Sequence, residues 1–368
     1  MQPALAVSTS SELLHALEQL AQADFVAIDT EFMRESTYYP KLCLIQVATS
    51  AVCALIDPLT SLDLHPLWEF LADRTRVKVL HAARQDLEVL SLANEPAPGP
   101  IFDTQIAAAL LGYSAQIGYG ALVAKRLAHT LAKDHTRTDW SRRPLSSEQL
   151  QYAADDVRYL APLYLGLRDA LSDAGRLQWL YEDTSELERA DLHRTEPQDA
   201  WRRLKGLDRL QPEQRATAKL LAEWREAVAI RSNRPRGWIL ADDALRQIAE
   251  QLPARVQDLE RVRSLPPGVV RRRGEELVSV VERGRAAAGN EAAAATPVRA
   301  DSQQLALVTK LMNFTRAQAE QLKVSPEMLA TRRDVEQLVF SRRTGHLLEG
   351  WRRDVIGERL IALAGLPV

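Results

Sequence analysis

The sequence predicts a mixed α/β sheet flanked by helices, followed by two small all-α domains. Three observations carry that prediction. Apolar, β-branched runs separated by short polar turns crowd the first eighty residues. Beyond residue 210 helical periodicity takes over and no convincing strand appears. A stretch rich in small residues, 285–300, then separates two helical blocks of similar length, which hints at a repeated fold. At 368 residues the chain is too long for one ordinary domain. The expected division is 1–205 for the α/β domain, 206–288 and 301–368 for the helical domains, and 289–300 for a linker.

In chain order, residues 24–31 (Asp-Phe-Val-Ala-Ile-Asp-Thr-Glu), 42–49 and 51–57 read as strands, because apolar and β-branched residues dominate each run. A helix from about Leu64 to Leu71 and a strand at 77–81 follow. Ser146, with Gln149 three residues on, reads as a capping box that opens a helix continuing through Val157, Leu160 and Leu163, and Pro162 is expected to kink it. Apolar residues recur at helical spacing over 211–230, 242–250, 255–260, 273–284, 302–321 and 326–364.

A hydrophobic fraction of 46% suffices for packed cores, and no apolar run approaches the ~18 residues of a membrane span. Met1 to Ser10 lack the basic and apolar regions of a secretory signal. Cys43 and Cys53 fall in neighbouring strands and read as buried free thiols, which suits a reducing cytoplasm. The net charge of -2 hides an asymmetry: residues 1–200 hold 17 Lys+Arg against 28 Asp+Glu, whereas the remainder holds 30 against 21. An acidic front suits metal, and a basic back suits a polyanion held by its phosphates.

Four carboxylates stand out in the front region. Asp29 and Glu31 are two apart on a strand, so they emerge side by side on one face, where a cation would relieve their repulsion. Asp86 follows the run His81-Ala-Ala-Arg-Gln, at a turn from strand to helix, where α/β folds place functional side chains; His81 reads as a local hydrogen-bonding residue. Tyr152 and Asp156 are four apart on one helical face, and a tyrosine hydroxyl beside a metal-bound carboxylate can orient a water. Each motif alone also fits an ordinary polar surface. Together they fit phosphodiester hydrolysis, which needs an activated water and a neutralised leaving oxygen, both supplied by two hard cations about 4 Å apart.

Asp29-Thr-Glu31-Phe with the downstream Tyr38-Tyr39-Pro40-Lys-Leu-Cys-Leu-Ile-Gln46, then His81-Ala-Ala-Arg-Gln-Asp86, then Tyr152-Ala-Ala-Asp-Asp156 resemble the three motifs of the DEDD exonuclease superfamily, in the tyrosine subclass to which the bacterial ribonuclease D family belongs. Residues 211–284 resemble the helical domain shared by helicases and ribonuclease D, known as HRDC, and 302–367 resemble a second copy. The resemblance implies a ribonuclease H-like fold for the α/β domain and two divalent cations, Mg²⁺ or Mn²⁺. It implies that Asp29 bridges both ions, that Glu31 and Asp156 complete the water side, that Asp86 anchors the ion near the leaving 3′ oxygen, and that Tyr152 orients the water. Asp155 is turned about 100° from Asp156 on a helix, so the spacing from Tyr152 selects Asp156.

The implied reaction is stepwise release of 5′-mononucleotides from an RNA with an accessible 3′ end, with transfer RNA precursors and other small stable RNAs as expected partners and neither membrane nor nucleotide cofactor involved. A DNA 3′–5′ exonuclease of the same superfamily is the alternative, since the acids do not report on a 2′-hydroxyl. Residues 133–145 interleave Arg137, Arg142 and Arg143 with Trp140, the mixture of cations and ring that single-strand binding uses, and a structured loop with Trp140 packed in the core fits the same run equally well. Arg234 and Arg236, in the run ending at Trp238, and Arg271 and Arg272 are further candidates for phosphate contact.

Overall fold

A computed structural model describes residues 3–93, 98–131, 138–189, 196–288 and 301–366. By internal contacts the chain forms two compact units. The first comprises Met1–Met33, Leu42–His193 and Ala300–Val368, and the second Arg34–Lys41 and Arg194–Arg299. These units do not follow the order of the chain. The last helical block shares a unit with the sheet, and a short segment of the α/β region joins the first helical block. The expected linker lies outside the described residues.

The first unit is built on a six-stranded sheet of order β1-β4-β3-β2-β5-β6. Its strands are β1 (Leu5–Val7), β2 (Phe25–Met33), β3 (Lys41–Ala48), β4 (Cys53–Ile56), β5 (Val77–Leu80) and β6 (Ile101–Asp103). β1 runs parallel to β4, β5 runs parallel to β2 and β6, and β3 is antiparallel to β4. Sequence periodicity anticipates β2 to β5. It passes over β1 and β6, whose three residues each are too few to show alternation. Cys43 and Cys53 are buried free thiols on β3 and β4.

Helices cover both faces. Val26, Ile28, Ile45 and Val47 pack with α1 (Ser10–Leu20), α2 (His65–Ala72) and α3 (Arg84–Ala93). Phe25, Ala27, Leu44 and Leu55 pack on the other side with α4 (Thr104–Leu110), α5 (Tyr119–Leu127), α6 (Ser147–Arg158), α7 (Leu160–Asp173) and α8 (Leu177–Ser185). Burial on both faces explains the unbroken apolar run of β2. Alternation then carries Asp29 and Glu31 to the same side as Phe25 and Ala27, facing α6.

The Ser146–Gln149 capping box opens α6 as its sequence predicts. The expected kink at Pro162 is replaced by a break at Tyr159, which ends α6 and precedes α7. Pro162 sits in the first turn of α7, where a missing N–H leaves no helical bond unmade.

The last helices are Ser302–Leu322, Pro326–Leu329, Arg332–Ser341 and Gly350–Leu363, the last interrupted by a π turn at Arg353–Gly357. The single periodic stretch read from 326 to 364 is thus three helices, divided after Leu329 and at the left-handed Arg342. They extend the core of the sheet's helical face through Val308, Leu311, Leu329 and Trp351. Ser325 N–H donates to Ala109 O at 2.8 Å, and Gly112, at φ 90°, lies where a Cβ would come within 2.9 Å of Lys323 O. The rings of Trp179 and Trp351 stack 4.3 Å apart, while Arg352 grips both carboxylate oxygens of Asp183 at 2.5 and 2.8 Å.

The second unit contains α9 (Pro212–Ser232), α10 (Arg236–Ile239), α11 (Asp242–Gln251), a 3₁₀ turn at Val256–Arg261 and α12 (Pro267–Ala286). α12 begins six residues before its apolar periodicity, because Pro267 is a favoured first helical residue and not a breaker there. At Gly284 the backbone of α12 approaches α9 so closely that a Cβ would lie 2.6 Å from Thr217 Cα.

The two helical blocks repeat one plan. Helices of 21, 4 and 10 residues recur in the same order. Left-handed caps at Asn233 and Leu252 answer to Lys323 and Arg342 at one constant offset. The same offset carries the N–H of Arg234 bonded to Ala229 O onto Val324 bonded to Ala319 O, and Leu240 bonded to Arg236 O onto Ala330 bonded to Pro326 O.

Candidate active site

β2, α3 and α6 each contribute acids to one end of the sheet. Asp29 and Glu31 leave β2 on the α6 side, and carboxylate oxygens of Asp29, Glu31 and Asp156 lie within 4.8 Å of one another. Asp86 enters from the first turn of α3 and is held by Thr30, whose hydroxyl donates to its Oδ1 at 2.6 Å. Alternation places Thr30 on the face opposite Asp29 and Glu31. One strand therefore supplies two acids to one side and a positioning hydroxyl to the other.

The turn that delivers Asp86 is strained. Ala82 has φ 55°, a left-handed conformation that costs a non-glycine residue of the order of 1–3 kcal/mol. Buried Asp103 compensates: its carboxylate accepts the N–H groups of Ala82 at 3.1 Å and Ala83 at 2.9 Å while capping α4 through Gln105 N–H. His81 is half-buried, with Nδ1 2.9 Å from the Thr104 hydroxyl and Nε2 donating to Ile117 O at 3.0 Å. It bonds locally and stands outside the acid cluster.

On α6 the two consecutive aspartates diverge. Asp155 accepts Gln151 Nε2 at 2.9 Å and faces Arg158, while Asp156 joins Asp29 and Glu31. The Tyr152 hydroxyl hydrogen-bonds Asp156. Tyr119, at the start of α5, donates its hydroxyl to Asp155 O at 2.9 Å and so ties down the backbone next to Asp156. Tyr119, Thr30 and Asp103 are site-building residues that the sequence reading misses. Alternation along β2 carries a signal for Thr30, but the other two act across long sequence separations.

The electrostatics of the cluster suit a cation. Burial, then the charges of Asp86, Asp156 and Glu31, push the Asp29 carboxyl well above its usual range. Glu31 is pushed up to about 9 by burial and then by Asp156 and Asp86. Asp156 rises to about 7 and Asp86 to about 6, with burial the largest cause in both. Carboxylates this close and this dry resist ionising together unless positive charge joins them. An all-oxygen donor set of this kind fits a hard divalent cation. Burial and the neighbouring acids raise the Tyr152 hydroxyl as well, so it remains a proton donor at neutral pH.

The residues expected to contact RNA separate into three groups. Trp140 is 2% exposed, with its ring centroid 6.0 Å from that of Tyr152. It buttresses the site from within the core and offers no face to a base, which decides for core packing and against stacking. Arg143 is likewise structural: it pairs with both Asp57 oxygens at 2.5 and 2.7 Å and donates to Cys43 O and Trp140 O. Arg142, Arg234, Arg236, Arg271 and Arg272 are exposed. Arg137 lies outside the described residues. Arg234 and Arg272 line one groove of about 520 Å³ in the second unit with Arg273 and Trp238, an indole 62% exposed.

Residues 5–172 match the model of a 3′–5′ exonuclease family, and residues 214–281 match that of the HRDC domain. Ribonuclease D of Nitrobacter hamburgensis is 37% identical over 97% of this chain and 94% of its own length. Ribonuclease D of Acidiphilium cryptum is 38% identical over 98% and 92%. Among solved structures, Escherichia coli RNase D, described as an exoribonuclease involved in structured RNA processing, matches 99% of both chains with a TM-score of 0.89 at 30% identity. Exonuclease core, HRDC domain and near-complete coverage by these relatives agree: the chain belongs to the ribonuclease D family.

Proposed function

We propose that the chain is a 3′–5′ exoribonuclease that releases 5′-mononucleotides from RNA with an accessible 3′ end, in the maturation of transfer RNA precursors and other small stable RNAs. The observation that carries this reading is the convergence of Asp29, Glu31 and Asp156 within 4.8 Å, with the Tyr152 hydroxyl bonded to Asp156. Asp29, Glu31, Asp86 and Asp156 would hold two divalent cations, Mg²⁺ or Mn²⁺, which supply a nucleophilic water near neutral pH and neutralise charge on the leaving 3′ oxygen. Asp29, which feels the charges of Asp86, Asp156 and Glu31 alike, would serve both ions. Glu31 and Asp156 stand on the water side, with the Tyr152 hydroxyl as the donor that orients the attacking water. Asp86, fixed by Thr30, stands on the leaving side. Trp140 keeps Tyr152 in place from the core.

The basic groove of Arg234, Arg272 and Arg273 with Trp238 suits single-stranded RNA, its arginines meeting phosphates and its indole a base. The expected outcome of Asp29→Asn or Asp156→Asn is loss of mononucleotide release with RNA binding retained. Tyr152→Phe should slow turnover by roughly 10²-fold, the range for a lost proton-handling or orienting group. Retained activity in Asp29→Asn would overturn the metal-dependent reading. Faster digestion of a matched DNA strand would favour the DNA exonuclease. Product analysis on a transfer RNA precursor with a 3′ trailer tests the substrate, and digestion that does not stop near the mature end would remove that assignment.

A further inference from the structure

Residues 34–41, Arg-Glu-Ser-Thr-Tyr-Tyr-Pro-Lys, run from the end of β2 to the first residue of β3 and begin three residues after Glu31. Their flanking strands belong to the first unit, but the segment belongs to the second. Three side chains hold it there. The Asn233 side-chain oxygen accepts the backbone N–H groups of both Tyr38 and Tyr39 at 3.1 Å. The Tyr38 hydroxyl donates to Glu226 Oε1 at 2.6 Å. The Tyr38 ring packs beside Val228, Ala229 and Ile239 and meets Tyr39 edge-on at 4.9 Å.

These partners are costly ones for a helix to carry. Glu226 is fully buried in α9, with the partly exposed guanidiniums of Arg203 and Arg236 3.7 and 3.8 Å away. A dry carboxylate is tolerated only with compensating bonds, and its shortest is to Tyr38. Asn233 occupies the left-handed cap of α9, at φ 45°, a conformation that asparagine tolerates better than most residues. A small helical domain needs neither group to close its own aliphatic core. Both are aimed at the segment that leaves the strand bearing Asp29 and Glu31.

We propose that Tyr38, Glu226 and Asn233 form a clamp through which the first helical domain fixes the end of the catalytic strand, making them positioning residues for Glu31. The proposal rests on the hydrolytic reading above. A displacement of about 1 Å in a catalytic group can cost of the order of 10²-fold in rate, so a strand end held by three bonds differs in consequence from one left free. The domain then contributes to chemistry as well as to RNA capture.

The test compares Tyr38→Phe, Asn233→Gly and Glu226→Gln in the full chain. Glycine is chosen because it keeps the left-handed cap without the side-chain acceptor. On a short unstructured RNA, Tyr38→Phe and Asn233→Gly should each lower kcat by about tenfold, within the range for a sub-ångström shift, with KM changed less than twofold. Calorimetric Mn²⁺ binding should weaken in parallel. The Tyr38→Phe, Glu226→Gln double variant should be no slower than its slower single, as expected of groups acting through one bond. Unchanged kcat and Mn²⁺ affinity in folded Tyr38→Phe would overturn the clamp, and so would a rise confined to KM, which would make the segment an RNA contact. If wild-type protein releases no mononucleotide, the hydrolytic reading fails, while the Mn²⁺ titration still decides the clamp.

Discussion

In the first helical block the turn after α9 exposes Arg234, Arg236 and Trp238, whereas the matching turn after helix Ser302–Leu322 buries Val324 and Ser325 and leaves Met328 half-buried. The backbone is the same in both, down to the left-handed cap and the two hydrogen bonds that follow it. One turn is an open basic surface and the other a dock, anchored through Ser325 N–H on Ala109 O and, further along, by Trp351 on Trp179. A repeated fold thus dictates where a turn is placed, and a few side chains decide what it does. Charge and an exposed indole suit a nucleic-acid surface; small and apolar residues make a core.

The sharpest way to break this contrast is to exchange the costs of the two tryptophans. Trp351→Ala removes a buried indole that stacks on Trp179 and donates to Asp183 at 3.0 Å, and it should destabilise the protein by about 3–5 kcal/mol in denaturant unfolding. Trp238→Ala, at an exposed position, should stay within about 0.5 kcal/mol of wild type. Equal costs would show that the two blocks are not used differently.

Much of this division lies in the sequence, and particular residues show why some does not. The pairing of Asp29 with Glu31 and of Tyr152 with Asp156 is legible because strand and helix periodicity fix which side chains share a face, whereas Asp86 is singled out by its turn from strand to helix. The Ser146–Gln149 box is legible because both partners lie within one turn. Trp140 misleads because a tryptophan flanked by arginines looks alike whether it stacks on a base or on Tyr152; only its burial separates the two. Arg143 misleads for the same reason, its partner Asp57 being 86 residues away. The grouping of residues 34–41 with the first helical block rests on pairings such as Tyr38 with Glu226, 188 residues apart, which local pattern does not encode.

The acid cluster shares its unit with the dock and not with the open surface, so metal should act on the same structure that Trp351 supports. With Glu31 raised to about 9, Asp156 to about 7 and Asp86 to about 6, these groups favour the metal-free fold fully below the ordinary carboxylate range, near pH 4. That contribution is lost as pH rises through about 6 to 9. Metal binding requires the ionised forms and runs the opposite way. Mn²⁺ affinity should therefore climb about tenfold per pH unit for each proton displaced, and the Tm gain from Mn²⁺ should be larger at pH 8 than at pH 5.5. Asp29→Asn should flatten both trends. A Tm gain independent of pH would mean that the ion binds elsewhere.

The smallest effects separate arginines that the sequence does not distinguish. Arg234 and Arg272 share the groove with Trp238, while Arg143, from an equally basic run, is committed to Asp57 and three backbone carbonyls. Arg234→Ala and Arg272→Ala should weaken RNA binding across sequences and lower the slope of log K against log salt by about 0.7 for each phosphate left without its arginine. Their unfolding should change little, since both side chains are exposed. Arg143→Ala should invert the pattern, leaving the salt slope intact and lowering stability, because it strands the Asp57 carboxylate beside the β3–β4 core. A salt slope that falls equally in all three would place RNA on the α6 approach as well, and the open turn of the first helical block would no longer be the surface that distinguishes it from its docked twin.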